Sequence, residues 1–239
     1  RMKPILSIVI ATKNRVPYCI NAIETILSFP DNDFELVIQD NTENLELKTY
    51  IESKISDIRL VYNYTPPPFS SIDNFNSALE LASGEYVCLI GDDDGVISEI
   101  LKITRWASSK RIDSVCSTAL VSYGWPGVYP KFMAGVLFIP HYSEKIQFLN
   151  PLKKLPALLS DGLSDYSKFN LPRVYHGIVK RSCFEEIRKK TGHYFGGLSP
   201  DIYSSIALSE VVRNHVVIDV PFTIPGVCKS STSADSSKQ

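Results

Sequence analysis

The stretch that decides the fold is EYVCLIGDDDG, at residues 85–95. A short run of apolar residues is typical of a strand that is buried on both faces, as in a parallel sheet. Three aspartates follow this run, and a glycine borders them on each side. Ligands of open α/β sheets bind beyond the carboxyl ends of the strands. The stretch therefore predicts a parallel sheet with an acidic site at one strand end.

The segments around this stretch alternate between strand and helix patterns. Asn14 is predicted to cap the first helix, and Gly84 is predicted to end the third. The alternation indicates βαβ units, that is, a mostly parallel sheet with helices on both faces. Strands are predicted over residues 6–11, 34–40, 58–62 and 85–90, and helices over residues 16–27, 41–54 (in part), 72–82 and 98–108.

The second half of the chain has a less regular pattern. Strands are predicted over residues 114–123, 132–139, 174–179 and, as the last one, 216–220; helices are predicted over residues 151–160, 182–190 and 200–208. The final residues are polar and low in complexity.

Composition excludes several classes of protein. The 239 residues are 44% hydrophobic, which suits one large domain with a buried core. A net charge of −1 gives no basic field for a nucleic-acid partner. The five cysteines form no C-x-x-C pair, which favours a cytoplasmic protein with buried free thiols. No apolar run reaches the roughly 18 residues of a membrane span, and no signal peptide is expected.

The run Asp92, Asp93 and Asp94 is electrostatically unfavourable next to a buried strand, because the like charges repel and lose hydration. A divalent cation relieves this repulsion. Mg²⁺ and Mn²⁺ prefer oxygen ligands, and Mg²⁺ uses one or two carboxylates together with water and substrate phosphates. The alternative is a solvated acidic turn, since Asp and Gly both favour turns. Asp40 ends another predicted strand, so it is expected at the same edge of the sheet.

Three blocks of this sequence resemble the family 2 glycosyltransferases of the GT-A fold: LSIVIATKNR at residues 6–15, NFNSALELASGEYV at residues 74–87, and the aspartate run in the place of the D-x-D motif. The resemblance implies a GT-A type α/β fold with a mostly parallel central sheet, Rossmann-like in its nucleotide-binding half. It implies a donor-binding half over residues 1–110, and an acceptor-binding and catalytic half of the same domain over residues 111–228. A polar tail is expected over residues 229–239.

The resemblance also implies roles for single residues on the donor side. Thr12 and Arg15 would lie near the nucleotide, and Asp40 would contact the base. For Asp40 a turn or helix cap is the alternative. Asn76 matches a recurrent asparagine of the family and would belong to the donor site. Phe75 stands where many members carry arginine.

The metal is expected to be Mn²⁺ or Mg²⁺. By the resemblance, Asp94 would coordinate it directly, and Asp92 would contact the ribose or a metal-bound water. Asp93 would replace either one if the alignment slips by one residue.

Asp201 is the expected catalytic base, because inverting members use a carboxylate at the start of a later helix. The alternative for Asp201 is a plain helix start, with Ser199 as cap and Pro200 in the first turn. Asp161 and Asp165 are the substitute carboxylates. A structural role is expected for His176.

Together these features predict a metal-dependent transfer of a sugar from a nucleotide-sugar donor, expected to be a UDP-sugar, to a hydroxyl of a saccharide or lipid-linked acceptor. Inversion, a part in bacterial surface polysaccharide assembly and peripheral association with the inner face of the membrane are implied by resemblance. One alternative is an inactive module that binds a nucleotide sugar or a partner protein. A sugar nucleotidyltransferase fits less well, because residues 12–15 lack the glycine-rich loop of that class.

Overall fold

The computed structural model describes residues 3–163, 166–197 and 199–230. Within these residues, no helix is both long enough and apolar enough to cross a bilayer. The strands are β1 (Leu6–Thr12), β2 (Phe34–Asp40), β3 (Leu60–Tyr64), β4 (Tyr86–Ile90), β5 (Gly95–Val96), β6 (Ser114–Ser117), β7 (Ser122–Gly124), β8 (Val136–Phe138), β9 (Ile146–Leu149), β10 (Gly177–Lys180), β11 (His215–Ile218), β12 (Thr223–Ile224) and β13 (Gly226–Val227). The helices are α1 (Val16–Leu27), α2 (Glu46–Lys54), α3 (Ser71–Leu81), α4 (Ile100–Ser109), α5 (Leu155–Ser160), α6 (Arg181–Thr191) and α7 (Pro200–Val211), with 3₁₀ helices at Pro151–Lys153 and Tyr166–Phe169.

Eight strands form the central sheet in the order β3-β2-β1-β4-β10-β6-β11-β9. β1 pairs in parallel with both β2 and β4, and β2 pairs in parallel with β3. β10 is antiparallel to both of its neighbours. The register sets Thr12 opposite Asp40, so the carboxyl ends of β1 and β2 lie side by side. The predicted α/β architecture is confirmed.

Helices cover both faces of this sheet, because alternate residues of each strand point to opposite sides. Ile8 and Ile10 of β1 belong to a buried cluster with α1, α2 and α4. Val9 belongs to a second cluster with α3, α6 and α7. All three side chains are fully buried. Burying each one contributes about 1.5–3 kcal/mol, which explains why a run without polar alternation forms the central strand.

Two predicted helix signals are wrong. Asn14 does not cap α1; it has a φ of 58°, and its Oδ1 accepts a 3.0 Å hydrogen bond from the backbone N–H of Glu43. Gly84 does not end α3, which stops at Leu81. A Cβ at Gly84 would lie 2.6 Å from the backbone nitrogen of Ser7. The glycine is therefore required by the close approach of β1, and not by a helix terminus.

The second half differs more from the predicted pattern. The strand predicted over residues 114–123 is two strands, β6 and β7, and only Val136–Phe138 of residues 132–139 is extended. The strand predicted as the last, β11, is followed by β12 and β13, which pair with β5 and β7. Short strands of two residues carry no periodicity, so the sequence pattern could not reveal them. Asp165 and residues 231–239 of the expected tail lie outside the described residues.

Candidate functional site

The predicted polar residues meet at one edge of the sheet. Thr12 ends β1, Asp40 ends β2, and the aspartate run follows β4, which pairs with β1 on the other side. Three strand ends therefore deliver these side chains to one place. This is the strand-end position at which open α/β sheets bind their ligands.

Asp92 lies at the centre of this edge and is buried. Thr12 Oγ1 donates a 2.7 Å hydrogen bond to Asp92 Oδ2, and Arg15 Nη1 donates a 3.1 Å bond to Asp92 Oδ1. The same Arg15 nitrogen lies 3.4 Å from Asp93 Oδ1. Burial raises the pKa of Asp92 to about 6, although Thr12 and Arg15 both oppose the shift. One guanidinium thus contacts two buried carboxylates.

Asp94 is held by four donors. Its Oδ2 accepts from the Gly91 N–H at 2.6 Å and the Tyr175 hydroxyl at 3.2 Å, and lies 3.1 Å from His176 Nε2. Its Oδ1 accepts from the Gly226 N–H at 2.6 Å. Burial alone would raise the pKa of Asp94, but His176 and the two backbone donors outweigh it and lower the pKa below the usual value. Asp94 is therefore a fixed carboxylate.

His176 belongs to this site, beyond the structural role that its sequence context suggested. Its backbone has a φ of 56°, a left-handed conformation that is uncommon outside glycine. The imidazole connects Asp94, through Nε2, to Thr223 Oγ1, which lies 3.1 Å from Nδ1. A strained backbone of this kind persists only where the surroundings hold it, which is common at functional sites.

A C-terminal segment, residues 222–230, crosses the aspartate run. A Cβ on Gly226 would lie 1.8 Å from the Asp93 carbonyl oxygen, so only glycine allows this approach. The same carbonyl accepts a 2.8 Å bond from Trp125 Nε1. Arg15 Nη2 donates a 2.6 Å bond to the Ser230 carbonyl. Sequence reasoning missed this segment; its one signal was the turn-forming dipeptide Pro225-Gly226.

The side chain of Asp40 caps a turn, which was the alternative to a contact with the base. It is fully buried, and its Oδ1 accepts a 2.8 Å bond from the Thr42 N–H. Tyr62 donates its hydroxyl to Asp40 Oδ2 at 2.9 Å. Burial is the largest cause that raises the pKa of Tyr62, and the hydrogen bond to Asp40 adds to it.

A pocket of about 200 Å³ opens beside Thr12, between the end of β1 and the start of α3. Asn74 is buried in its wall and donates from Nδ2 to the Thr12 carbonyl at 3.2 Å. Two phenylalanines, Phe69 and Phe75, line the same pocket. Aromatic side chains and amides together suit a flat heterocycle such as a nucleobase. The pocket is lined by Ala11, Thr12, Lys13, Asn41, Phe69, Ser71, Asn74 and Phe75.

Asp201 lies in the first turn of α7, and Ser199 Oγ accepts a 3.5 Å bond from the Ile202 N–H as the helix cap. The expected helix start is confirmed. Burial raises the pKa of Asp201, and the positive field of His176 opposes this rise. Asp201 also adds to the charges that raise the pKa of Tyr175. Asp201 is therefore close enough to His176 and Tyr175 for their charges to influence one another, whereas Asp161 is exposed at the end of α5.

Asn76 lies on α3, but its side chain is directed away from the pocket residues and towards a loop. Its Oδ1 accepts from the backbone N–H groups of Tyr194 and Phe195 at 2.9 and 3.0 Å. Its Nδ2 donates to the carbonyls of Phe195 and Ile72 at 2.9 and 3.0 Å. The structure thus places Asn76 between α3 and the loop that leads into α7.

The donor set fits a divalent cation that takes few protein ligands. In the described parts of the chain, no three His, Cys, Asp or Glu side chains converge as a complete metal site. Asp92 and Asp93 both contact the guanidinium of Arg15. Within the described residues, Asp94 Oδ1 accepts one hydrogen bond, from the Gly226 N–H at 2.6 Å, so it retains a lone pair for a metal ion. Mg²⁺ and Mn²⁺ in such sites obtain their remaining ligands from substrate phosphates and water.

Comparisons with known proteins identify relatives of this chain and of its fold. A β-1,3-glucosyltransferase of Campylobacter jejuni, named for GalNAc(5)-diNAcBac-PP-undecaprenol, is 31% identical over 123 residues, which are 49% of this chain and 39% of that protein. The crystal structure of Staphylococcus aureus TarS 1-349 in complex with UDP-GlcNAc covers 96% of this chain and 60% of its own, with a TM-score of 0.63 and 16% identity. The mannosyltransferase PcManGT of Pyrobaculum calidifontis, in complex with GDP-Man and Mn²⁺, covers 97% of this chain and 59% of its own, with a TM-score of 0.58 and 14% identity.

At these identities the two structures show the fold alone, and that fold is the GT-A type. The chain spans less than two thirds of the length of each of the three proteins. The sequence profile described as glycosyl transferase family 2 matches residues 7–159, which is more than half of the chain. The chain belongs to glycosyl transferase family 2.

Proposed function

We propose that this chain transfers a sugar from a nucleotide-sugar donor to an acceptor hydroxyl, with a divalent metal bound at the aspartate run. The observation that carries the proposal is the meeting of Thr12, Arg15 and Asp92 at one strand edge. The charge of Asp201 acts on Tyr175, which contacts Asp94 at the same edge. The proposal assigns donor binding to residues 1–110, acceptor binding and catalysis to residues 111–228 of the same domain, and a polar tail to residues 229–239. Within that tail, the Ser230 carbonyl is contacted by Arg15.

The donor is proposed to be a UDP-sugar whose base enters the pocket beside Thr12. TarS was crystallised with UDP-GlcNAc, and PcManGT with GDP-Man and Mn²⁺, so both nucleotides occur with this fold. The diphosphate then extends towards Arg15 and Asp92, which the 3.1 Å contact already joins. Asp40 supports this pocket by holding Thr42 and Tyr62 in place through hydrogen bonds. A contact between Asp40 and the nucleobase is part of the same proposal.

Mn²⁺ or Mg²⁺ would be held by Asp94 and Asp92, with Asp93 as the substitute ligand. A divalent ion in this place supplies Lewis-acid stabilisation of the charge on the leaving diphosphate. Arg15 contributes a second positive charge at the same carboxylates. His176, Tyr175 and Gly226 hold Asp94 in one orientation, which removes the cost of ordering it during the reaction.

Asp201 is proposed to accept the proton of the acceptor hydroxyl as the hydroxyl oxygen bonds to the anomeric carbon of the donor sugar. The sugar–phosphate bond breaks on the opposite face and the nucleoside diphosphate leaves, so the transfer proceeds with inversion. The raised pKa of Asp201 strengthens it as a base. The acceptor is proposed to be a saccharide, free or lipid-linked, because the Campylobacter jejuni relative is named for an undecaprenol-linked acceptor. Action in bacterial surface polysaccharide assembly, from the cytoplasm at the inner face of the membrane, belongs to the same proposal.

Release of nucleoside diphosphate from a panel of UDP-, dTDP-, GDP- and CDP-sugars with Mn²⁺ tests this function, with water as the acceptor where no saccharide is added. We expect turnover of one donor class and a loss of at least about 100-fold in Asp201→Asn. Asp161→Asn is the matched control, because that exposed carboxylate should leave turnover unchanged. Metal-dependent binding without turnover would support the inactive module instead. No binding of any donor would contradict the proposal.

A further inference from the structure

Asn76 uses the full hydrogen-bonding capacity of its side chain on backbone groups. The amide nitrogen has two protons, and the carbonyl oxygen has two lone pairs. The four contacts, all between 2.9 and 3.0 Å, go to the main chain of Ile72, Tyr194 and Phe195. No donor or acceptor capacity is left for a ligand. Because the partners are backbone atoms, the contacts fix the path of the chain at residues 194–195.

These contacts span two parts of the fold that are distant in sequence. The pairs Asn76–Tyr194 and Asn76–Phe195 are 118 and 119 residues apart. The start of the same helix, α3, is tied to the donor edge, because Asn74 donates to the carbonyl of Thr12. Helix α3 is therefore a rigid connection between the strand end at Thr12 and the loop of residues 192–197.

The loop is in turn attached to α7. The hydroxyl of Tyr203 lies 3.3 Å from His193 Nε2, and their rings lie 5.7 Å apart. His193 is held from the other side, because Thr191 Oγ1 donates to its carbonyl at 2.8 Å. The ring of Phe195 packs against Phe75 at 6.0 Å. A shift of this loop would therefore move the first turns of α7.

We propose that Asn76 is a positioning residue that sets the base Asp201 relative to the donor bound at Thr12 and Asp92. The inference rests on the proposed function, and it changes the role of Asn76 from a donor ligand to a structural link. Proton transfer to a base needs hydrogen-bond distance, and a misplacement of about 1 Å costs roughly 100-fold in rate. Asn76 therefore acts on turnover and not on donor affinity.

The experiment compares Asn76→Ala, Asn76→Asp and wild type in steady-state turnover and in amide hydrogen exchange. Asn76→Ala should lower kcat at least about tenfold and leave the KM for the nucleotide sugar within about twofold. Exchange at the amides of Tyr194 and Phe195 should accelerate, because Asn76 Oδ1 accepts from both. Asn76→Asp keeps these acceptors and loses both donor contacts, so its exchange should lie closer to wild type.

Ser160→Ala is the matched control, since Ser160 also sits on a helix and its side chain donates to the carbonyl four residues before it, of Pro156, at 2.9 Å. It should leave kcat, KM and exchange at Tyr194 unchanged.

A raised KM with unchanged kcat in either Asn76 variant would make Asn76 a donor ligand and overturn the proposal. Unchanged exchange at Tyr194 and Phe195 would also overturn it. If wild type shows no turnover, the proposed function fails, and exchange still reports on the link. If Asn76→Ala does not fold, Asn76→Asp supplies both readouts.

Discussion

Thr12 Oγ1 donates a 2.7 Å hydrogen bond to Asp92 Oδ2, although 80 residues separate them in the chain. The parallel pairing of β1 with β4 makes this contact, because Thr12 ends β1 and Asp92 follows β4 at the same edge of the sheet. The contact joins the end of β1 to the acidic turn. It therefore links the proposed donor site to the stability of the sheet.

Thr12→Val should destabilise the fold by about 1–3 kcal/mol, because a buried carboxylate loses its hydroxyl donor. The loss should be larger at pH 8 than at pH 5. The pKa of Asp92 is already raised to about 6 in the fold, and removing the donor raises it further. A raised folded pKa means that the unfolded state loses its proton first, so stability falls as pH rises. Urea unfolding at the two pH values measures this effect.

Thr12→Ser is the control for that variant, because serine keeps the hydroxyl. Its stability should follow the wild type at both pH values. A Thr12→Val variant with the same loss at pH 5 and pH 8 would show that packing of the methyl group, and not the bond to Asp92, is the cause.

Gly226→Ala should displace the segment that crosses the aspartate run. The new Cβ would lie 1.8 Å from the Asp93 carbonyl oxygen, and relief of the clash would withdraw the Gly226 N–H from Asp94. We expect a stability loss of about 1–3 kcal/mol and weaker metal-dependent donor binding. Differential scanning calorimetry and donor titration measure the two effects.

Gly95→Ala provides the comparison, because a Cβ there would meet Ile224 at ordinary contact distances of 3.5–3.9 Å. That variant should keep nearly wild-type stability and binding. Equal losses in the two variants would mean that the segment over Asp93 has no special role.

His215 should make the fold sensitive to mild acid. Burial is the main cause that lowers its pKa to about 4, from an ordinary value of 6.5. Its Nε2 donates to the Asn170 carbonyl at 2.7 Å, and its Nδ1 has no partner in the described part of the chain. Below pH 6.5, His215 is protonated in the unfolded state, whereas in the folded state it stays neutral until the pH approaches 4. Stability from this group is therefore complete above pH 6.5 and is lost as pH falls towards 4.

His215→Gln removes this titration and keeps an amide donor. Between pH 7.5 and pH 4.5, the free energy of unfolding should shift by about 2–3 kcal/mol in favour of the variant. The difference between the unfolding free energies of the two proteins cancels the opposite pH dependence that Asp92 contributes, because both proteins contain Asp92. Parallel pH profiles for wild type and variant would contradict the assigned pKa.

The sequence predicted that Asp40 and the aspartate run lie at one edge of the sheet, because the signals for these strand ends are local. The apolar run before Asp92 and the strand that ends at Asp40 have clear patterns, and parallel pairing brings their ends together. The contacts of Asp94 could not be predicted, because Gly226 and His176 reach it from distant, short elements. The sequence placed Asn76 correctly on a helix, α3. It could not predict that the side chain bonds to Tyr194 and Phe195, because these residues lie in a loop far along the chain.

Thermal unfolding with a UDP-sugar and Mn²⁺ tests the central claim, a metal-dependent diphosphate site at the aspartate run, most directly. With ligand at about 100 times its Kd, wild type should gain about 2.7 kcal/mol, or several degrees in Tm, and only when metal and nucleotide are both present. Asp94→Asn should lose this gain. Asp219→Asn, at a half-buried carboxylate that accepts hydrogen bonds from Ser143 and Thr118, should keep it. Stabilisation that needs no metal, or that survives in Asp94→Asn, would contradict the claim.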